Sequence, residues 1–200
     1  MRLTLKTYTK RFATFRTEAG GTIEAEYLGR GQFTTAYVAD DLVYLVVPDD
    51  CGDFSKDILE SCEPMPHLPT CEKFGMTETG TVWREHLYAP LTRANKQAWA
   101  DFKTLQKARD EAWAQAQGRN FSVHNGHVVM QTTVDLLPDG PLKNALDELR
   151  SAAANYGSSY CFEFAKRNLA VDKDGRLILL DCTFDLETVH KLRTKHRRVA

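Results

Sequence analysis

The stretch Tyr160–Asp185, YCFEFAKRNLAVDKDGRLILLDCTFD, decides how the rest of the chain is read. Two apolar runs, Leu169–Val171 and Leu177–Leu180, flank Asp172-Lys-Asp-Gly175. An Asp/Gly-rich turn between β-formers predicts a tight hairpin. A hairpin returns the chain to its starting end, so Asn168 before the first strand and Asp181 after the second should meet there. Glu163 stands five residues before Asn168, with Lys166 and Arg167 between them. An amide and a carboxylate converging in this way suit Mg²⁺, which takes oxygen ligands from one or two side chains and leaves the rest to phosphates and water.

Working outward, Thr22 to Val47 is the clearest β territory: Thr22–Leu28, Gly29-Arg-Gly31, Phe33–Val38, an Asp40-Asp41 turn, then Leu42–Val47. This predicts three strands, the first two joined by a glycine turn whose amides can approach a phosphate closely. The same G-x-G pattern also serves ordinary hairpins. Residues 1–20 alternate modestly (Leu3, Leu5, Tyr8, Phe12, Phe15) and predict an edge strand or short packing segment. Asp53–Glu60 has helical spacing, with Asp53 or Ser55 as N-cap and Ile58 and Leu59 inward. After the proline-rich Cys62–Pro69 come two more strands, Thr70–Met76 and Thr81–Tyr88, and a break at Pro90. Asn95–Gly118 is the strongest helix, its Trp99, Phe102, Leu105, Ala108, Ala112 and Trp113 forming a core-facing stripe. Residues 119–135 read either way, since Val128-Val-Met130 extends a helix or forms a strand. Asp139-Gly-Pro141 starts a second helix with Leu142, Leu146, Leu149 and Ala153 inward and Gly157 as terminator.

Three motifs, in this order, resemble those of protein kinases. Leu28-Gly-Arg-Gly-Gln-Phe-Thr-Thr-Ala-Tyr37 is similar to the glycine-rich loop. Glu163-Phe-Ala-Lys-Arg-Asn168 lines up with the catalytic loop, Asp-x-x-x-x-Asn, and Asp181-Cys-Thr falls where the family has Asp-Phe-Gly. The layout of residues 22–185 looks most like the early protein kinase of short-tailed lytic phages, and more loosely like small-molecule phosphotransferases. The resemblance implies an α+β, bilobal protein-kinase-like fold. Residues 1–89 would be an antiparallel-sheet N-lobe, 90–185 a truncated helical C-lobe and 186–200 a basic tail, with Leu87-Tyr-Ala-Pro90 as the hinge. It further implies ATP held between the lobes, its phosphates covered by Gly29, Gly31, Gln32 and Phe33. Asn168 and Asp181 would bind Mg²⁺, and Glu163 would stand where the family's catalytic Asp orients the acceptor hydroxyl. Lys166 would steady the γ-phosphate, and Arg167 would pair locally.

The chain departs from the family pattern in three places. The family's third strand carries a Lys that holds the α- and β-phosphates, whereas Val43-Tyr-Leu-Val46 puts Leu45 there. Lys56, from the following helix, and Arg30, from the glycine turn, are the replacements at hand; Glu60, the helix's acidic residue, has no strand Lys to meet. Glu163 is one methylene longer than Asp, and positioning is most of what phosphoryl transfer asks of a protein. Residues 186–200 do not supply the activation segment and further helices that hold a peptide in the family.

Two hundred residues with 42% hydrophobic content suffice for one or two compact units. A formal charge of −1 excludes a global nucleic-acid or membrane signature. No apolar run reaches spanning length and MRLTLKTYTKRF lacks a signal peptide's apolar segment, which predicts a soluble cytoplasmic protein, in a host cell if phage-encoded. Five cysteines without a C-x-x-C pair read as free thiols, and the six His do not cluster as zinc ligands. The Gly of Asp172-x-Asp174-Gly175 comes too early for a calcium loop. The tail HKLRTKHRRVA carries five Lys/Arg and is either a solvated helix end or a contact for nucleic acid or an acidic protein. Three readings follow: an ATP-dependent Ser/Thr kinase acting on host protein in host takeover, a pseudokinase that grips a host protein as a binding or inhibitor module, and an unrelated α+β domain whose residues 163–181 are only a polar hairpin.

Overall fold

The computed structural model describes residues 4–8, 12–16, 21–31, 34–49, 54–78, 80–117 and 125–197, with backbone alone for 4–8 and 192–197. The fold is mixed α+β, and the chain divides into two compact units: residues 1–52 with 70–87, and residues 53–69 with 88–200.

The first unit is a curled antiparallel sheet. Its strands are β1 (Thr4–Tyr8), β2 (Phe12–Arg16), β3 (Thr22–Arg30), β4 (Thr35–Ala39), β5 (Leu42–Val47), β6 (Cys71–Met76) and β7 (Thr81–His86), in the order β1-β2-β3-β4-β5-β7-β6. Each of the first five strands pairs with its sequence neighbour, because short turns close antiparallel hairpins. Asp40 turns the chain from β4 to β5 with φ 53, a left-handed conformation that Asp tolerates. Alternation sorts the side chains. In β2, Ala13 and Phe15 point inward and join Ala25, Tyr37, Tyr44, Val46 and Val82 in one buried cluster. There Phe15 stacks on Tyr44 at 5.6 Å and meets Tyr37 edge-on at 6.0 Å. Residues 1–20 thus supply two strands, one of them part of the core. β5 is buried on both faces after its first residue, as an unbroken apolar run requires. Leu45 is 6% exposed and stands opposite Trp83 in the register, so apolar packing fills this position of β5.

The second unit comprises α1 (Ser55–Ser61), β8 (Ala89–Pro90), α2 (Lys96–Gln117), α3 (Gly126–Asp135), α4 (Pro141–Ala153), β9 (Tyr160–Phe162), β10 (Leu169–Val171), β11 (Leu177–Leu179), β12 (Thr183–Asp185) and α5 (Leu186–Arg197). Its strands form two small antiparallel sheets, β11-β10-β8 and β12-β9. Phe102, Leu105, Ala108 and Ala112 of α2 are buried, as are Leu146, Leu149 and Ala153 of α4, while Leu142 is half-buried. Of the residues that read either way, Gly126–Asp135 form α3, with Val129, Met130 and Val134 inside, and residues 119–124 lie outside the described residues. Helix wins because Gly126 lets α3 approach β9 closely: a Cβ there would lie 2.4 Å from the Tyr160 carbonyl oxygen. Gly118, expected to end α2, lies outside the described residues, and a turn over 154–156 separates the end of α4 from Gly157.

Residues 53–69, which the sequence placed in the sheet-rich half, cluster with the helices. One cause is His67, whose carbonyl accepts the Leu179 amide at 2.9 Å while its Nδ1 donates to the Leu177 carbonyl at 2.8 Å. The N-cap of α1 also differs from expectation. Phe54 holds that position without a side-chain cap, Ser55 is the first helical residue, and Asp53 lies outside the described residues. No helix among the described residues is long and apolar enough to cross a membrane.

Candidate functional site

The hairpin of β10 and β11 is built as its sequence requires. Leu169 stands opposite Leu179 and Val171 opposite Leu177. Asp172 Oδ1 accepts the amides of Asp174 (2.9 Å) and Arg176 (2.8 Å), and Gly175 takes φ +80, so side chain and glycine together close the loop. At the open end the Asn168 carbonyl accepts the amides of Leu180 (3.0 Å) and Asp181 (3.3 Å) and the Cys182 thiol (3.4 Å). Asn168 and Asp181 therefore meet, as expected, through a backbone clamp.

Glu163 joins them from the other side. Its amide donates to the Cys182 carbonyl at 2.8 Å. Its carboxylate accepts Asn168 Nδ2 at 3.3 Å and the Arg167 guanidinium at 2.7 Å. The local pairing expected of Arg167 is present. With the Asn168 amide nitrogen donating to Glu163, its side-chain oxygen is left as an acceptor. Asn168 itself is 9% exposed.

The fourth member comes from α1. Three consecutive residues fasten the start of this helix: the Phe54 amide donates to the Tyr160 hydroxyl (3.2 Å), the Ser55 hydroxyl to the Thr183 carbonyl (2.8 Å), and Lys56 Nζ to the Leu180 carbonyl (2.9 Å). Lys56 is 6% exposed, so an ammonium group is buried one residue from Asp181. The Cys182 thiol registers this convergence. Burial is the main force raising it above the usual thiol range; the charges of Asp181 and Glu163 add to the rise and that of Lys56 opposes it. A thiol so held is a packing group rather than a nucleophile.

Other expected site residues lie elsewhere. Lys166 is exposed, with Nζ 6.0 Å from the centre of the Trp99 ring. Trp99 is half-buried, which corrects its assignment to a core-facing stripe: cations hold its outer side. In the sheet unit the expected glycine turn is displaced: Gly29 and Arg30 belong to β3, opposite Ala36 and Thr35 of β4, and only beyond them does the Gly31 amide donate to the Thr34 carbonyl at 2.8 Å. No atom lies within 4 Å of where a Gly29 Cβ would stand. Gln32 and Phe33 lie outside the described residues.

Asp185, which the sequence did not single out, caps α5. It accepts the Ser159 hydroxyl (2.5 Å), the amides of Glu187 and Thr188 (both 3.1 Å) and the Thr188 hydroxyl (2.6 Å). Burial pushes its carboxyl up, but these hydrogen bonds outweigh it and hold the group below its ordinary range. The bonds from Phe54, Ser55 and Lys56 were equally hidden, because they join residues more than a hundred positions apart.

Among the described residues no three or more His, Cys, Asp or Glu gather as a metal site. One carboxylate and one amide fall below that count, yet they are the sparse donor set that Mg²⁺ accepts beside phosphate and water. Together with Lys56 they offer oxygen ligands and a fixed positive charge, which suits a metal-bound polyphosphate. No protein-family model matches the chain, and no curated protein matches it.

Proposed function

We propose that the chain is a protein-kinase-like phosphotransferase that binds Mg-ATP and transfers phosphate to a Ser/Thr hydroxyl of a host protein, as a phage-encoded host-takeover factor in the host cytoplasm. The observation that carries this reading is Lys56. The strand position where the family keeps its lysine holds Leu45, and the helix that follows delivers a buried ammonium beside Asp181 instead. The bilobal reading draws support from the order of elements. A glycine turn between two strands, a third strand, a helix, two more strands, then helices and a polar hairpin is the order the resemblance implies.

In this mechanism Asp181 and the Asn168 side-chain oxygen hold Mg²⁺, and Lys56 sets a positive charge against the phosphates. When bound, the metal neutralises phosphate charge and the nucleotide supplies the phosphoryl group. Glu163 orients the acceptor hydroxyl, itself aimed by Arg167 and Asn168. Lys166 lies on the solvent side of the same loop.

One observation favours a second reading, the pseudokinase that binds a host protein without turnover. Both Arg167 and Asn168 already engage the Glu163 carboxylate, so its oxygens are held by the chain's own donors where an acceptor hydroxyl would have to bind. The deciding experiment incubates purified protein with γ-labelled Mg-ATP, with and without host lysate, beside Asp181→Ala, and measures Mg-dependent ATP binding by calorimetry. Label transfer lost in Asp181→Ala supports the phosphotransferase. Binding without label supports the pseudokinase. Neither binding nor label leaves an α+β domain with a polar hairpin.

A further inference from the structure

Three cations converge on one indole beside the catalytic-loop segment. Arg93 lies 5.8 Å, Lys103 5.7 Å and Lys166 6.0 Å from the centre of the Trp99 ring, and Lys103 also stands 5.4 Å from the Phe102 ring. All three cations are exposed, and among the described residues none of them is in an ion pair. Sequence separation makes the arrangement informative: Arg93 precedes α2, Lys103 lies one turn beyond Trp99 within it, and Lys166 arrives from the far loop. Like charges gathered from three segments repel one another. The ring's negative face offsets part of that repulsion and leaves a local charge of about three on solvent-facing groups.

We propose that this cluster is the docking surface for an acidic polypeptide segment flanking the acceptor hydroxyl. The inference rests on the phosphotransferase reading and names its substrate class. Lys166 lies within the Glu163–Asn168 loop, so a substrate whose hydroxyl approaches Glu163 brings its neighbouring residues over Lys166 and then over Lys103 and Arg93. Carboxylates at those neighbouring positions complement the charge. Single-stranded nucleic acid fits less well. It binds by stacking bases on open aromatic faces along an extended basic groove. The Trp99 ring is already engaged by three cations and, at 5.3 Å, by Phe102.

The test uses the full chain without nucleotide. A dye-labelled peptide with one serine flanked by glutamates is titrated by anisotropy against its glutamine counterpart and against an oligo-dT of similar length. The glutamate peptide should bind about tenfold more tightly than the glutamine peptide, an advantage that fades with added salt. Arg93→Glu/Lys103→Glu should remove most of that advantage, and Arg93→Gln/Lys103→Gln about half of it. Both sites are exposed, and thermal melts report that the variants remain folded. Equal binding of the two peptides, or of wild type and charge-reversed protein, overturns the proposal; so does tighter binding of oligo-dT than of the glutamate peptide. Mg-ATP binding is measured on the same sample. If it is absent while the glutamate peptide binds selectively, the phosphotransferase reading fails and the docking surface stands. If it is present without peptide selectivity, only the docking surface fails.

Discussion

Lys56→Met isolates the charge on which the mechanism turns. Methionine keeps the unbranched stem, so the apolar part of a side chain 94% buried is preserved and only the ammonium leaves. For stability, two terms oppose. Losing the charge-assisted bond to the Leu180 carbonyl costs about 1.5–3 kcal/mol, while burying a cation is itself unfavourable by several kcal/mol. The folded state should therefore change by only about 1–2 kcal/mol, read as a midpoint shift in urea at an unchanged m-value. Nucleotide binding has no such compensation. A unit charge about 4 Å from a phosphate, at an effective dielectric constant near 20, contributes about 4 kcal/mol. Affinity for Mg-ATP should fall by a factor approaching a thousand. Calorimetry at fixed ionic strength measures this, with the urea curve confirming that the variant is folded. A folded Lys56→Met protein that binds Mg-ATP as tightly as wild type would refute the assignment of Lys56 as the replacement for the strand lysine.

Further predictions follow from packing and caps. Asp185→Asn keeps one capping oxygen but loses the charge and replaces the other oxygen by an NH2 that cannot accept a hydrogen bond. It should cost about 1–2 kcal/mol at neutral pH, measured by denaturant unfolding. Because the folded-state pKa of Asp185 is depressed, its contribution is full above the ordinary carboxylate value and is lost as pH falls through the folded value. The gap between wild type and Asp185→Asn should thus narrow below about pH 4. Gly126→Ala, whose Cβ would meet the Tyr160 carbonyl at 2.4 Å, should destabilise the protein by about 3 kcal/mol, whereas Gly175→Ala, strained only by φ +80, should cost about 1 kcal/mol. Burial raises the Cys62 and Cys161 thiols to about 12, Glu148 adding to the shift at Cys62. At pH 8 about one in ten thousand of each is thiolate. Alkylation mapped by mass spectrometry should find both nearly inert until urea is added.

What could be read from the sequence was what is local. The β10–β11 hairpin, β3 to β5, α2 and α4 each carry their own periodicity and turn chemistry, and each appears where these predict. Asn168 and Asp181 meet because a short hairpin leaves its ends nowhere else to go. Residues 119–135 failed to declare themselves because a run such as Val128-Val-Met130 suits either structure. There the choice was made by Gly126, whose missing side chain matters only against β9. Lys56 could be proposed as the replacement lysine but not located, because its partner lies on β11's outgoing end, far along the chain. Trp99 fitted a helical stripe by spacing, and its cations come from segments that no helical pattern connects.

The division of the molecule bears on how the chain can be made and cut. The backbone passes from one unit to the other after residues 52, 69 and 87, so residues 53–69 are synthesised early yet belong with a body completed only by residues near 186. A ribosome that has delivered residue 87 has supplied all the sheet's strands but leaves α1 without Tyr160, Leu180 and Thr183 to bind. No single cleavage yields both units intact: a fragment starting at residue 88 lacks the helix that brings Lys56, and one ending at residue 87 carries that helix with nothing to fasten it. The lysine's place beside Asp181 is therefore won late, when the last strands arrive, and any phosphate site that depends on it comes into being only with the whole chain.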